Sequence, residues 1–298
     1  STQMSVYSLS GALALKEMGF RRVVLARELS LDRIAAISRK IKEENICGPS
    51  GELVKIEMFA HGAICMAISG KCYLSLHDNG CSANRGACRQ ICRHAYTLRD
   101  KDDDKEIRVD GQYLLSPKDL CTVDFLDKFI AAGVSVLKIE GRARGAEYVK
   151  RVVECYDLAL RAIERGEYSR EYAEELKVTL SKVFNRGFWG GYYAGAKVVE
   201  HSTNYGSSAT RRKVYVGKVT NYFKRLGVAE VLIEAAPLAV GDEILWMGET
   251  TGCVEQIVGE IRLDLNPVQS VKQGDVCSIK VEGSEIRRGD KLYKEEIR

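Results

Sequence analysis

Cys65-Met-Ala-Ile-Ser-Gly-Lys-Cys72 is followed, beyond Asn84-Arg85-Gly86-Ala87, by Cys88-Arg-Gln-Ile-Cys92. Four thiols at these intervals converge if the chain between Cys72 and Cys88 folds back, and Asp78-Asn79-Gly80 supplies a turn for it. Thiolates are soft ligands that select zinc or an iron–sulfur cluster over hard cations. Zinc ribbons are built on paired Cys-x-x-Cys knuckles, a spacing neither pair shows, so an iron–sulfur cluster is preferred and zinc is the alternative. Whether Cys81 or Cys121 replaces a ligand stays open at this level. Cys47, Cys155, Cys253 and Cys277 sit singly on apolar patterns and read as core. Arg85, Arg89, Arg93, His94 and Arg99 surround the thiols, with no acidic residue between Cys81 and Arg99. Guanidinium groups offset the charge of a thiolate-ligated cluster and suit phosphate or carboxylate partners. Arg93 and Arg99 read equally well as solvated surface.

The composition narrows the setting. The chain has 298 residues, 45% hydrophobic and 29% charged, which excludes a disordered or collagen-like chain. No apolar run approaches the ~18 residues of a membrane span, and Ser1 to Lys16 lacks a secretory layout. Disulfide scaffolds belong mostly to small exported domains, so ten cysteines without a leader favour a metal site in the reducing cytoplasm. A net charge of +4 is too small to argue for nucleic acid by itself.

The elements that must position these residues alternate. Tyr7 to Met18 reads as a helix ended by Gly19, with Ser1-Thr2-Gln3 as the tail of an earlier strand. Val23 to Ala26 reads as a strand, and Ser30 caps a helix carrying Ile34, Ile37 and Ile41. Leu53 to Phe59 is a second strand, Pro117 to Ala132 a helix ended by Gly133, Val134 to Ile139 a strand, and Glu147 to Arg165 a long helix. About four strand–helix units give an α/β fold with a parallel sheet, half of what a closed (β/α)8 barrel needs. The expected organisation is a partial barrel with a cysteine-rich insertion over 1–167 and a helical, glycine-rich connector over 168–211. A small antiparallel β-barrel follows over 212–298, punctuated by Gly241-Asp242, Gly274-Asp275 and Gly289-Asp290. Half a barrel leaves an open edge, so the missing N-terminal half or a second copy is expected to cover it.

Lys138, Glu140 and Arg142 fall at the C-terminal end of a parallel strand, where barrel active sites are built, and His61 also follows a strand end. Lys138 and Glu140 are two apart and share a strand face, as catalytic groups or as a structural ion pair. The expected catalytic residues are therefore Lys138, Glu140 and His61. Arg85, Arg89, Arg93 and Arg142 are the expected substrate-binding residues. Asn185 to Tyr192 reads as a glycine-rich turn that buries Phe188 and Trp189.

The run Phe59-Ala60-His61-Gly62-Ala63-Ile64-Cys65, with Ser69-Gly70-Lys71-Cys72-Tyr73-Leu74-Ser75, resembles the signature of the collagenase-like peptidase family U32. Further matches are Asn84-Arg85-Gly86-x-Cys88, Cys92-Arg93, Ser116-x-Lys118-Asp119-Leu120, Leu137 to Arg142, and Phe184-Asn185-Arg186-Gly187-Phe188. The resemblance runs in one register from Ser1 to about Tyr193 and lacks the first half of the family's strand–helix barrel. It implies an oxygen-independent hydroxylase acting on a tRNA uridine, giving 5-hydroxyuridine, on an rRNA cytidine, or on a quinone precursor. By that resemblance Cys65, Cys72, Cys88 and Cys92 hold a 4Fe–4S cluster, and prephenate is the oxygen source. The Asn-Arg-Gly and Cys-Arg pieces resemble the RNA-modifying branch, so tRNA or rRNA is the expected partner.

Two other classes compete. A cysteine protease needs an activated thiolate beside a histidine held by an acid, and only His61, His77, His94 and His201 are available. The C-terminal barrel resembles the second domain of translation factors, which allows a zinc-stabilised RNA-binding module. The near-neutral charge of 212–298 means that RNA would have to bind local patches.

Overall fold

Helical periodicity and short apolar runs shape the first part of the chain, seen in a computed structural model that describes residues 2–103, 105–107, 115–142 and 144–298. Ser1 lies outside the described residues, and Thr2–Met4 is a helical turn, not the strand tail expected there. Leu9–Glu17 (α1) starts at Ser8, whose hydroxyl accepts from the Gly11 amide at 3.3 Å. Arg22–Val24 (β1) leads to Leu31–Glu43 (α2), which buries Ile34, Ile37 and Ile41 on one face. Each of these three stabilises the fold by roughly 1.5–3 kcal/mol. Lys55–Ala63 (β2) is buried on both faces along most of its length, as a central strand must be.

The long cysteine-bearing segment that follows holds Leu74–Asn79 (α3) and the short pair Leu98–Arg99 (β3) and Glu106–Ile107 (β4). The helix expected from Pro117 begins only at Leu126–Ala131 (α4), because Asp119–Cys121 (β5) is a fully buried strand. Val136–Glu140 (β6), Ala146–Arg165 (α5), Arg170–Ser181 (α6) and Phe188–Trp189 (β7) complete this part.

The sheet runs β1-β2-β5-β7, with β6 also on β2. β1 and β6 pair with β2 in parallel, whereas β5 runs antiparallel to β2. The wholly parallel sheet expected from alternating strands and helices is thus a mixed one. The register between β2 and β6 slips between Phe59 and His61: Phe59 pairs with Lys138, but His61 pairs with Ile139. Paired residues share a face, so Phe59 and His61 point to opposite faces, and Ala60 is the bulged residue.

The chain divides into two units, Ser1–Arg142 with Val152–Leu180 and Phe184–Ser208, and Ala143–Arg151 with Ser181–Val183 and Ala209–Arg298. Helix α5 contributes residues to both. The second unit is built of Arg211–Phe223 (β8), Val228–Ile233 (β9), Leu238–Ala239 (β10), Glu243–Gly248 (β11) and Gly252–Ile257 (β12). It continues with Ile261–Leu263 (β13), Asn266–Val268 (β14), Ser270–Val271 (β15), Val276–Lys280 (β16) and Lys291–Ile297 (β17). Eight of these form one antiparallel sheet, in the order β12-β11-β17-β8-β9-β16-β13-β14. Its buried side chains include Val216, Val231, Trp246, Ile279 and Leu292. Gly217 lets β8 press against β9, since a Cβ there would lie 2.0 Å from the Leu232 carbonyl oxygen.

The three Gly-Asp pairs share one device. In each, the glycine takes a positive φ, and the aspartate Oδ2 accepts from the amide three residues earlier: Ala239, Lys272 and Arg287. The side chain thereby closes the turn that starts the next strand.

Candidate metal centre and its surroundings

The cysteine segment leaves the end of β2 and turns back on itself. Gly80, at φ +64°, ends α3 where Asp78-Asn79-Gly80 was expected to turn. The Ser75 hydroxyl then accepts from the Arg89 amide at 3.1 Å, tying the first half of the segment to the second. The Cys72 sulfur accepts from the Leu74 amide and the Cys88 sulfur from the Gln90 amide, each at 3.4 Å.

Cys65, Cys72, Cys88 and Cys92 are all half-buried and free of disulfides. The other three lie close enough to act on Cys92: burial raises its pKa most, Arg93 lowers it, and Cys65, Cys88 and Cys72 raise it further. Among the described residues no three His, Cys, Asp or Glu side chains are grouped tightly enough to hold a metal ion. Cys121 sits apart from the four. It is fully buried, opposite His61 in the β2–β5 pairing, and burial pushes its thiol up to about 12.

The guanidinium of Arg93 is already committed. Nη1 donates to the Pro117 carbonyl at 2.7 Å and the Ser116 hydroxyl at 3.0 Å, and Nη2 donates to the Ile64 carbonyl at 2.8 Å. Ile64 precedes Cys65 and Arg93 follows Cys92, so one side chain ties the two ends of the thiol set together. Arg85 and Arg89 are exposed and have no acidic partner among the described residues. The Arg142 amide donates to Glu140 Oε1 at 3.0 Å, and Arg142 Nη1 reaches the Gly86 carbonyl at 3.4 Å.

The three residues expected to be catalytic lie on neighbouring paired strands, with His61 turned to the face opposite Lys138. Lys138 pairs with Glu57 at 3.3 Å, not with Glu140. Glu57 also pairs with Arg22 at 2.7 Å. His61 is only 1% exposed, because the bulge turns it to the side where Tyr156 of α5 lies. Its Nδ1 is 3.4 Å from the Tyr156 hydroxyl, which itself donates to the Ala60 carbonyl at 2.8 Å and accepts from the Thr122 amide. Burial raises the Tyr156 pKa well above its ordinary value, so the phenol stays protonated. Trp189 is buried, as expected of the glycine-rich turn, and Phe188 rests beside His61 at 5.7 Å between ring centroids.

Residue-type reasoning gave no role to the buried pair Arg186–Asp119, 3.3 Å apart, or to Tyr156. Asp119 and Arg186 were visible only as members of the Lys118-Asp119-Leu120 and Asn185-Arg186-Gly187 motifs.

The fold is thus a mixed α/β sheet carrying a four-thiol segment at one strand end. The model of peptidase family U32 matches residues 1–203, and the chain belongs to that family. It is 52% identical to a collagenase of Porphyromonas gingivalis over 99% of this chain and 70% of that protein. It is 40% identical to a 23S rRNA 5-hydroxycytidine synthase of Escherichia coli, over 63% of this chain and 28% of that protein. A tRNA hydroxylation protein of Bacillus subtilis is 34% identical over 74% of this chain and 51% of its own length.

Proposed function

We propose that this chain is the thiol-bearing part of an iron–sulfur RNA hydroxylase, acting on a pyrimidine of tRNA or rRNA with prephenate as oxygen donor. The observation that carries the reading is the gathering of four free thiols in one segment beside two exposed arginines without acidic partners. Neither thiol pair has the Cys-x-x-Cys spacing of a zinc ribbon, which favours an iron–sulfur cluster over a single zinc ion. When bound, a 4Fe–4S cluster on Cys65, Cys72, Cys88 and Cys92 supplies electrons and a Lewis-acidic iron. The protein's own part is to tie the two ends of the thiol set together, which Arg93 does, and to offer Arg85 and Arg89 to an RNA phosphate. The reading places the protein in a reducing, cytoplasmic setting, where thiols stay free. No helix among the described residues is long and apolar enough to cross a membrane.

The similarity to a protein named collagenase favours a second reading, proteolysis. Its chemistry is poorly served at Cys121, which faces His61 across paired strands. Cys121, opposite His61, is buried and held protonated, so it is no nucleophile at neutral pH. Deleting the gene should remove a hydroxylated pyrimidine from tRNA or rRNA digests. Unchanged nucleosides in both pools, together with lost gelatin cleavage, would replace the hydroxylase with the peptidase.

A further inference from the structure

In the second unit, Lys218 of β8 and Lys291 of β17 are directly paired on neighbouring strands, and both are exposed on the side away from the core. Like charges opposite one another on paired strands cost stability, so the fold gains nothing from this arrangement. Lys218 has Glu234 at 2.8 Å, but Lys291 has no acidic partner among the described residues. One end of the same sheet continues the pattern. Phe223, Val228 and Lys280 stand in register across β8, β9 and β16, and Phe223 and Lys280 are exposed. The turn after β8 adds Lys224 and Arg225, and the connection from β16 to β17 adds Arg287 and Arg288. These two loops are joined. Lys224 pairs with Glu285 at 2.7 Å, and the Val281 amide donates to the Gly227 carbonyl at 2.8 Å. The Gly289 amide donates to the Val219 carbonyl at 2.8 Å, which brings the connection beside Lys218. Arg225, Lys280, Arg287 and Arg288 are exposed and have no acidic partner among the described residues. Of the acids on that connection, Glu285 is taken by Lys224 and Asp290 closes its own turn, which leaves Glu282.

We infer that this face of the second unit, with its loop end, binds the sugar–phosphate backbone of RNA as a surface separate from the thiol segment. The choice of RNA among polyanions rests on the proposed function and on Phe223, whose exposed ring stands in the row of Lys280 and can stack on an unpaired base. Lys218 and Phe223 are five residues apart, roughly 16 Å of strand. The cations therefore follow a line, as phosphates do, and do not crown a single tip as contact with a flat membrane requires. A phosphate seated between Lys218 and Lys291 relieves their repulsion.

The test is binding of an unmodified transfer RNA transcript to the full chain between about 50 and 200 mM salt. Arg287→Gln combined with Arg288→Gln should weaken binding roughly tenfold and lower the log–log salt slope by about 1 for each cation removed. Lys291→Gln should weaken binding several-fold while raising the urea midpoint, a combination that a purely structural lysine does not give. Phe223→Leu should weaken binding and leave the salt slope unchanged. Lys42→Gln, on the exposed side of α2, should change neither affinity nor slope. Full affinity and an unchanged slope in the folded Arg287→Gln, Arg288→Gln protein would overturn the inference. So would binding to phosphatidylserine vesicles with none to the transcript. The measurement needs neither cluster nor turnover, so the nucleoside digests that test the hydroxylase and this binding assay fail separately.

Discussion

At the scale of single residues, the cysteines differ in what surrounds them, and reactivity should follow. Cys65, Cys72, Cys88 and Cys92 are half-buried, with the first three near Cys92, whereas Cys121 and Cys155 are enclosed. Replacing any of the four by serine should remove the iron and acid-labile sulfide bound after anaerobic preparation, while Cys155→Ser should leave both intact. Elemental and sulfide analysis per chain checks this. Cys121 lends itself to a pH experiment. Its pKa in the fold is about 12 against an ordinary 9.0, so folding favours the neutral thiol. Its contribution is complete below about pH 9 and is lost as the pH rises towards 12, by about 1.4 kcal/mol per unit. Urea midpoints should therefore fall between pH 9 and 12. Cys121→Ala should flatten that fall, and an unchanged slope would show that other buried groups dominate.

The elements decide where those residues point. The bulge at Ala60 places Phe59 beside Lys138 and sends His61 to the opposite face, and the carbonyl of Ala60 is held by Tyr156 and the Thr122 amide. The cysteine segment depends on long-range bonds because its own helix, α3, is a six-residue piece that could not persist alone. Arg93 supplies three of those bonds. Charge-assisted hydrogen bonds contribute about 1.5–3 kcal/mol each, and removing the donor leaves acceptors unpaired. Arg93→Ala should thus free the segment for trypsin, with faster cleavage at its arginines than in wild type. Arg93→Lys should lie between the two, since a point charge replaces a planar fork. Equal cleavage rates in all three would remove the clamp from this account.

For the molecule as a whole, two units mean two cores, and each contains one tryptophan: Trp189 in the first and Trp246 in the second. The second unit includes the first turns of α5, where Arg151 makes a bidentate pair with Glu295 at 2.7–2.8 Å and reaches Glu255 at 3.2 Å. Both Arg151 and Glu295 are buried, so breaking the pair strands a charge and costs about 3–5 kcal/mol. In a Trp189→Phe background, Arg151→Ala should lower the unfolding midpoint reported by Trp246 fluorescence. Arg151→Met with Glu295→Leu should recover much of the loss, because two apolar groups leave no uncompensated charge. A double variant as unstable as the single would mean that the pair is more than a buried structural contact.

Sequence alone determined what depends on near neighbours. Isoleucines at helical spacing became the buried face of α2, and Gly241-Asp242, Gly274-Asp275 and Gly289-Asp290 became side-chain-closed turns. The U32 motifs were legible too, because motif order survives without coordinates. Only the tertiary structure decided what depends on pairing between distant segments. Pro117 to Cys121 carried a helix-compatible pattern, but β2 offered Asp119–Cys121 a hydrogen-bonding edge and made it a strand. A register slip against β6 breaks the two-residue period at Ala60 and turns His61 to the face opposite Phe59. Arg93 read as a substrate-binding or a solvated cation because its three acceptors lie 23 to 29 residues away. Local periodicity is set by bond geometry within a few residues. The direction of a side chain across a sheet, and the burial of a charge such as Arg186, are set by which strands meet.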